Sequence, residues 1–91
     1  MGPKQVVHKY PIAQIGEFVL RMPIGAKILD VQIQRGQPHI WALINPDAAM
    51  TERSFVLVGT GDQPLDFSAS EYVGTVQAGP CVWHLFDRGV V

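Results

Sequence analysis

The sequence predicts an all-β domain, an antiparallel sandwich or a jelly-roll-like barrel of about seven strands. Short runs of strand-forming residues are bounded at close intervals by Gly and Pro, which is the pattern of these folds. No window of about ten residues keeps the i, i+3, i+4, i+7 spacing of apolar residues, so no stable helix is expected. A length of 91 residues fits one domain, residues 1–91.

The first three predicted strands are marked by proline and by alternation. Proline ends the first strand at position 11 and the second at position 23, because it cannot donate a ladder hydrogen bond. In the second strand, Phe18, Leu20 and Met22 share one face. The third strand alternates most regularly, and its apolar residues are expected to face inward. These residues are Leu29, Val31 and Ile33.

The later strands are separated by turns and by one long loop. Residues 35–38 (RGQP) form a tight turn, so the third and fourth strands make a hairpin. Residues 48–52 suffice for one helical turn only. Residues 62–70 are expected to form a surface loop anchored by Leu65 and Phe67, and residues 78–80 form a turn. The seven predicted strands comprise residues 6–10, 16–22, 27–35, 39–44, 53–58, 72–77 and 81–87.

Composition and charge restrict the classes of function. A formal net charge of −1, with no run of Lys or Arg, argues against binding to a nucleic acid duplex. No apolar run approaches the roughly 18 residues that span a bilayer, and residues 1–4 do not begin a secretory signal, so no membrane association is expected. The single cysteine, Cys81, fits a reducing compartment, and we expect a cytoplasmic location.

Residues that could carry chemistry have commoner structural roles. Cys81 and His84 lie three apart on a predicted strand, so their side chains point to opposite faces and cannot share a zinc ion. Residues 59–61 (GTG) lack the lysine and the helix of a phosphate loop. Thr60, Arg21 and Arg53 remain as weak ligand candidates for a subunit junction. We therefore expect no enzyme activity, no catalytic residue, no metal and no cofactor.

Two predicted strands are apolar on both faces. The fourth carries His39, Trp41 and Leu43 on one face and Ile40, Ala42 and Ile44 on the other. The seventh carries Trp83 and Leu85 opposite Val82, His84 and Phe86. A sandwich core uses one face of each strand, so one apolar set must be covered by loops, such as residues 62–70, or by protein.

Tryptophan is enriched where protein interfaces are most stable, which favours the second kind of cover. The candidate interface residues are Trp41, Leu43, His39, Trp83 and Leu85. We expect a homo-oligomer, most simply a twofold dimer, and a host protein is a further candidate partner.

Several short motifs, taken in order, resemble those of a known family. They are VVHKYPI, GEFVLRMPIGAKILDVQIQRGQP, IWALINPDA, FVLVGTG, YVGTVQ and VWHLFD. The family comprises short proteins of unknown function from bacteriophage and prophage genomes, and the resemblance covers almost the whole chain. It implies a phage accessory protein that acts in the cytoplasm of a bacterial host, and it assigns no catalytic residue.

The leading interpretation is a phage-encoded protein-interaction module, for instance an inhibitor of a bacterial defence system that acts by binding. Three alternatives stay open: a small-molecule or nucleotide-sequestering protein, a minor virion component, and an enzyme of unrecognised type. A sequestering protein should have a pocket with convergent polar groups. A protein inhibitor should instead expose an apolar or acidic patch.

Overall fold

The computed structural model describes residues 4–91 and shows a sandwich of seven antiparallel strands. The strands are β1 (Val6–Pro11), β2 (Gly16–Pro23), β3 (Lys27–Gln34), β4 (Gln37–Ile44), β5 (Met50–Gly59), β6 (Glu71–Ala78) and β7 (Cys81–Val90). A three-stranded sheet with the order β1-β4-β3 packs on a four-stranded sheet with the order β2-β5-β7-β6. The predicted all-β fold class is confirmed. Residues 1–3, which contributed to the expectation of no secretory signal, lie outside the described residues.

The core lies between the two sheets. The rings of Phe18 and Phe55 stack there with their centroids 5.5 Å apart. The predicted inward face of β2 is confirmed, because Phe18 and Met22 are buried and Leu20 packs against the core. The buried apolar residues of the core are Ile12, Phe18, Met22, Ala26, Val31, Ile40, Ala42, Ile44, Phe55, Leu57, Val76 and Leu85.

One edge of the sandwich is closed by the contact between β3 and β6. Gly74 of β6 permits this approach, because a Cβ atom there would lie 3.0 Å from Cγ1 of Val31. The hairpin turns also follow the sequence. Arg35 and Gly36 both have positive φ angles, 53° and 78°, as the tight turn between β3 and β4 requires.

The inward position predicted for Leu29 is wrong. The register between β3 and β4 shifts between Ile28 and Asp30, and Leu29 is the extra residue of this bulge. Leu29 is therefore 44% exposed, whereas Ile28 packs against the core. Because a bulge interrupts the period of two, regular alternation fails at this point.

The predicted helical turn at residues 48–52 does not form. Met50 is instead the first residue of β5, and residues 50–52 pair with residues 21–23 of β2. The neighbouring strand provides ladder hydrogen-bond partners for these residues, which a short helical turn would forfeit. Residues 4–91 contain no helix long and apolar enough to cross a lipid bilayer.

Candidate interaction surface

The central strand of the three-stranded sheet divides its side chains sharply between two faces. Ile40, Ala42 and Ile44 point into the core and are buried. His39, Trp41 and Leu43 alternate with them, so they lie on the outer face and are each partly exposed. This is the two-faced apolar pattern predicted for the fourth strand.

The strand register shows which residues surround Trp41 on this outer face. Directly paired residues of neighbouring strands point to the same side of a sheet. Three cross-strand rows result: Val7, Leu43 and Lys27; Lys9, Trp41 and Asp30; and Pro11, His39 and Gln32. We call these nine residues the Trp41 face.

The Trp41 face has an apolar centre and a polar rim. Val7 is 51% exposed beside Leu43, and the His39 ring lies 5.8 Å from the Trp41 ring. The side chain of Lys9 reaches from β1 across this face to β3, where its Nζ donates a hydrogen bond of 2.6 Å to Oε1 of Gln34. On the β3 side, the Asp30 carboxylate accepts hydrogen bonds of 2.8 Å from the backbone N–H of Val31 and from the side chain of Gln32.

The outer face of β7 is covered by the chain itself. The ring of Phe86 lies 4.5 Å from that of Phe67, in the loop between β5 and β6, and 5.4 Å from that of Tyr72. Val56 of β5 lies between two core residues, so it points to this outer face, yet it is fully buried. Phe67 therefore anchors the loop as predicted, whereas Leu65, the other predicted anchor, is 43% exposed.

One further contact holds this loop over the sheet. Nη2 of Arg88 donates a hydrogen bond of 3.3 Å to the backbone carbonyl of Asp66, and the same guanidinium pairs with Glu17 of β2. Within the loop, hydrogen bonds from the side chain and then the backbone of Ser68 lower the pKa of Asp66, and Arg88 adds a smaller effect in the same direction.

The structure separates the two interface candidates of β7 from those of β4. Leu85 is completely buried among the core residues, so it is a core residue and no part of the exposed surface. Its inward direction follows from the alternation along β7, which also turns Trp83 toward the core. Trp83 stays partly exposed and lines a cavity of about 300 Å³ at one end of the sandwich.

The three weak ligand candidates do not converge. Arg53 forms an ion pair with Asp87, with 2.6 Å between Nη2 and Oδ2, and Nη1 donates a 2.5 Å hydrogen bond to the carbonyl of Ala26. Its charge is thus neutralised inside the sandwich. Arg21 is exposed and lies opposite Glu52, while Thr60 lies beyond the far end of β5.

The Arg53–Asp87 pair is not predicted from the sequence. Asp87 is only 6% exposed, and its position two residues after Leu85 places it on the inward face of β7. The sequence does show that Asp87 shares a strand face with the core residue Leu85. This pattern predicts a buried carboxylate, and a buried carboxylate needs a positively charged or hydrogen-bonding partner.

Thr60 belongs instead to a chain of polar side chains on the outer face of the four-stranded sheet. Its hydroxyl lies 2.7 Å from Nε2 of His84, and Nδ1 of His84 lies 3.0 Å from the hydroxyl of Thr75. Thr75 in turn is hydrogen-bonded to Tyr72. Cys81 is exposed, and no group of three or more His, Cys, Asp or Glu residues within residues 4–91 is arranged to hold a metal ion.

Comparison with known proteins identifies a family for the sequence but no activity. Residues 3–90 match a family described as a domain of unknown function (DUF7352). Searches of curated proteins and of solved structures found no match.

Proposed function

The chain belongs to the DUF7352 family of domains of unknown function, and we propose that within it this protein is a bacteriophage-encoded module that acts by binding protein. The observation that carries the proposal is the Trp41 face. It presents a partly exposed tryptophan among apolar neighbours, on a sheet that the described part of the chain leaves uncovered.

The composition of this face suits protein better than a small ligand. Interfaces combine an apolar centre, in which tryptophan is enriched, with a polar and charged rim. Trp41 and Leu43 supply the centre, and Lys9, Lys27 and Asp30 supply the rim. A ligand-sequestering site would need convergent polar groups, and the candidates for that role lie apart.

The setting that we propose is the cytoplasm of a bacterial host, where the protein inhibits a host defence system by occupying one of its components. The support for the setting is the motif order that resembles phage and prophage proteins. The support for inhibition by binding is the Trp41 face.

The test compares three tagged proteins as baits in a lysate of host bacteria: wild type, Trp41→Glu and Val19→Glu. Val19 is a matched control, because it is 48% exposed on β2, away from the Trp41 face. Captured proteins are quantified by mass spectrometry, and circular dichroism confirms that each bait is folded.

We expect wild type and Val19→Glu to capture the same specific protein and Trp41→Glu to lose it. A charged residue at the centre of an interface removes a contact of about 2 kcal/mol or more. Identical capture by all three baits, or no specific capture by the wild type, would contradict the proposal.

A further inference from the structure

We infer that the outer edge of β1 binds an extended, acidic segment of a partner protein, which adds a strand to the three-stranded sheet. The inference rests on the proposed role of this protein as a protein-binding module and names the part of the partner that it binds. β1 is an edge strand, because within residues 4–91 it pairs with β4 alone. The opposite edge strand, β3, is packed against β6. An uncovered edge strand offers its backbone to a further strand.

The strand register shows which backbone groups of β1 point away from β4. In an antiparallel pair, alternate residues exchange hydrogen bonds with the partner strand, and the residues between them point their N–H and C=O groups to the other side. The N–H of Ile12 donates a hydrogen bond of 2.9 Å to the carbonyl of Pro38, which continues the register of β1 with β4. Counting back by twos, Tyr10 and His8 also bond to β4. The backbone groups that point to the free edge are those of Val7, Lys9 and Pro11.

The hairpin between β3 and β4 gives the same assignment independently. Its two-residue turn closes with a hydrogen-bonded pair, Gln34 and Gln37. Alternation along β4 then points the backbone groups of odd-numbered residues toward β3 and those of even-numbered residues toward β1. Ile40 is even-numbered and pairs with Tyr10, so Tyr10 bonds to β4. Pro11 fits as well, because its missing N–H lies on the free side, where no ladder bond is lost.

The free edge of β1 is accessible. Val7 and Lys9, whose N–H and C=O groups point outward, are both exposed, and Val7 is 51% exposed. No other strand of the described chain pairs with this edge. The side chains of Val7 and Lys9 belong to the Trp41 face, so a strand added here widens that face.

The corresponding edge of the other sheet is less suited to an added strand. β2 is the edge strand there, and its odd-numbered residues point outward, because the N–H of Ile24 bonds to the carbonyl of Ala49. One outward group is already used, since the side chain of Gln14 donates a hydrogen bond of 2.9 Å to the carbonyl of Glu17. The charges of this edge are also mixed, because it carries both Glu17 and Arg21. The added strand therefore belongs to β1.

The charges around β1 favour an acidic partner segment. Residues 4–16 contain Lys4 and Lys9 but no Asp or Glu. Lys4 is exposed directly before β1, and the Lys9 ammonium group has three N–H donors, of which Gln34 occupies one. A carboxylate on the added strand thus meets cations and no like charge, which stabilises the pairing of neighbouring strands. Two copies of β1 side by side would bring lysines together without any acid, which disfavours a second copy at this edge.

Amide hydrogen exchange of the wild-type protein tests the free edge without any substitution. The amides of His8 and Tyr10 bond to β4 and should exchange about tenfold or more slowly than those of Val7 and Lys9. Equal protection of all four amides would overturn the inference, because the edge would then already be occupied.

The probe for the partner segment is a synthetic heptapeptide of alternating glutamate and valine with both ends blocked. It is titrated to about 2 mM into isotope-labelled protein while amide resonances are followed by NMR. Hydrogen bonds to the added strand should shift the amides of Val7 and Lys9 more than those of His8 and Tyr10. A heptapeptide of alternating lysine and valine should bind about fivefold or more weakly. Unshifted Val7 and Lys9 amides, or equal binding of the two peptides, would overturn the inference.

A matched pair of substitutions separates the backbone of Val7 from its side chain. Val7→Pro removes an outward N–H, leaves the hydrogen bonds to β4 in place and should weaken peptide binding about tenfold or more. Val7→Ala keeps the N–H and should bind nearly as the wild type does. Val19→Pro is the control for proline in an edge strand, because Val19 is 48% exposed at an outward position of β2. Equal weakening by Val7→Ala and Val7→Pro would contradict strand addition, and circular dichroism confirms that each variant is folded.

These outcomes can be separated from failure of the proposed function by adding Val7→Pro to the baits in the host lysate. A protein that Trp41→Glu loses and Val7→Pro retains would support the proposed function and overturn the edge as its binding site. A wild type that captures no host protein, yet binds the glutamate–valine peptide at Val7 and Lys9, would support the edge site and contradict the proposed function.

Discussion

The outer faces of β4 and β7 both carry apolar side chains that the core does not use, but the chain itself covers only the face of β7. On β7, Phe86 lies under the loop between β5 and β6, and the neighbouring Val56 is fully buried. On β4, Trp41 and Leu43 stay partly exposed, and their neighbour Val7 is half exposed. A strand that is apolar on both faces therefore predicts that its outer face is covered by other residues. The nearby loops determine whether residues of the same chain can cover it.

The connections around each sheet explain the difference. The loop of residues 62–70 belongs to the longest irregular segment among residues 4–91 and carries an aromatic anchor, Phe67. On the other sheet, β3 and β4 are joined by the tight turn at Arg35 and Gly36, which is too short to fold back over Trp41. The exposed face of β4 is thus a consequence of its short connections.

The largest expected effect comes from introducing a glutamate on β7 and, for comparison, on β4. Leu85→Glu puts a carboxylate into the core, where Leu85 is 0% exposed, and should unfold the domain at a cost above about 4 kcal/mol. Trp41→Glu should leave a folded monomer, because the new charge lies on the outer face. Circular dichroism and light scattering distinguish these states. An unfolded Trp41→Glu protein would show that Trp41 is a core residue.

A smaller effect is expected from removing an aromatic side chain from each outer face. Phe67→Ala loses the ring contact with Phe86 and frees the loop, at a cost of about 1–2 kcal/mol. Trp41→Ala should cost less at a concentration where the chain is monomeric. Urea denaturation of both variants gives the two free energies of unfolding. A greater loss for Trp41→Ala would reverse the comparison.

The smallest effect concerns the pH dependence of the loop. Hydrogen bonds from Ser68 lower the pKa of Asp66, so the folded state favours the ionised carboxylate. Its contribution is present above the ordinary pKa of an aspartate and is lost as the pH falls through the lowered folded pKa. Amide exchange slows throughout the chain as the pH falls. In residues 66–68 the rate should fall less than elsewhere, because the loop loses the stabilisation that the ionised Asp66 provides. Asp66→Asn should abolish the difference, and a wild-type loop with no such difference would contradict the assignment.

Local patterns in the sequence predict much of this architecture. Alternation along β4 puts Ile40 and Trp41 on opposite faces, although only the structure shows that Ile40 is the inward one, and alternation along β2 places Phe18 and Met22 in the core. The tight turn at residue 36 follows from its glycine. These features depend on neighbours in the chain, which the sequence displays directly.

Features that depend on a second strand could not be predicted in the same way. The bulge at Leu29 and the pairing that sets Lys9 and Asp30 beside Trp41 arise from strand register. Register is fixed by partners that are distant in the chain. For the same reason the Arg53–Asp87 pair and the cover of Phe86 by Phe67 emerge only once β5, β7 and their loop are together.

The most direct test of the account follows both tryptophans at once. Incorporation of 5-fluorotryptophan gives two fluorine resonances, for Trp41 and Trp83, which the variant Trp41→Phe assigns. Spectra are recorded while the protein concentration rises from about 20 μM to about 1 mM, the range in which the weak dimer expected from the sequence would form. We predict that the Trp41 resonance shifts with concentration while that of Trp83, turned toward the core, stays constant. A constant Trp41 resonance, or a shift confined to Trp83, would contradict self-association through the Trp41 face.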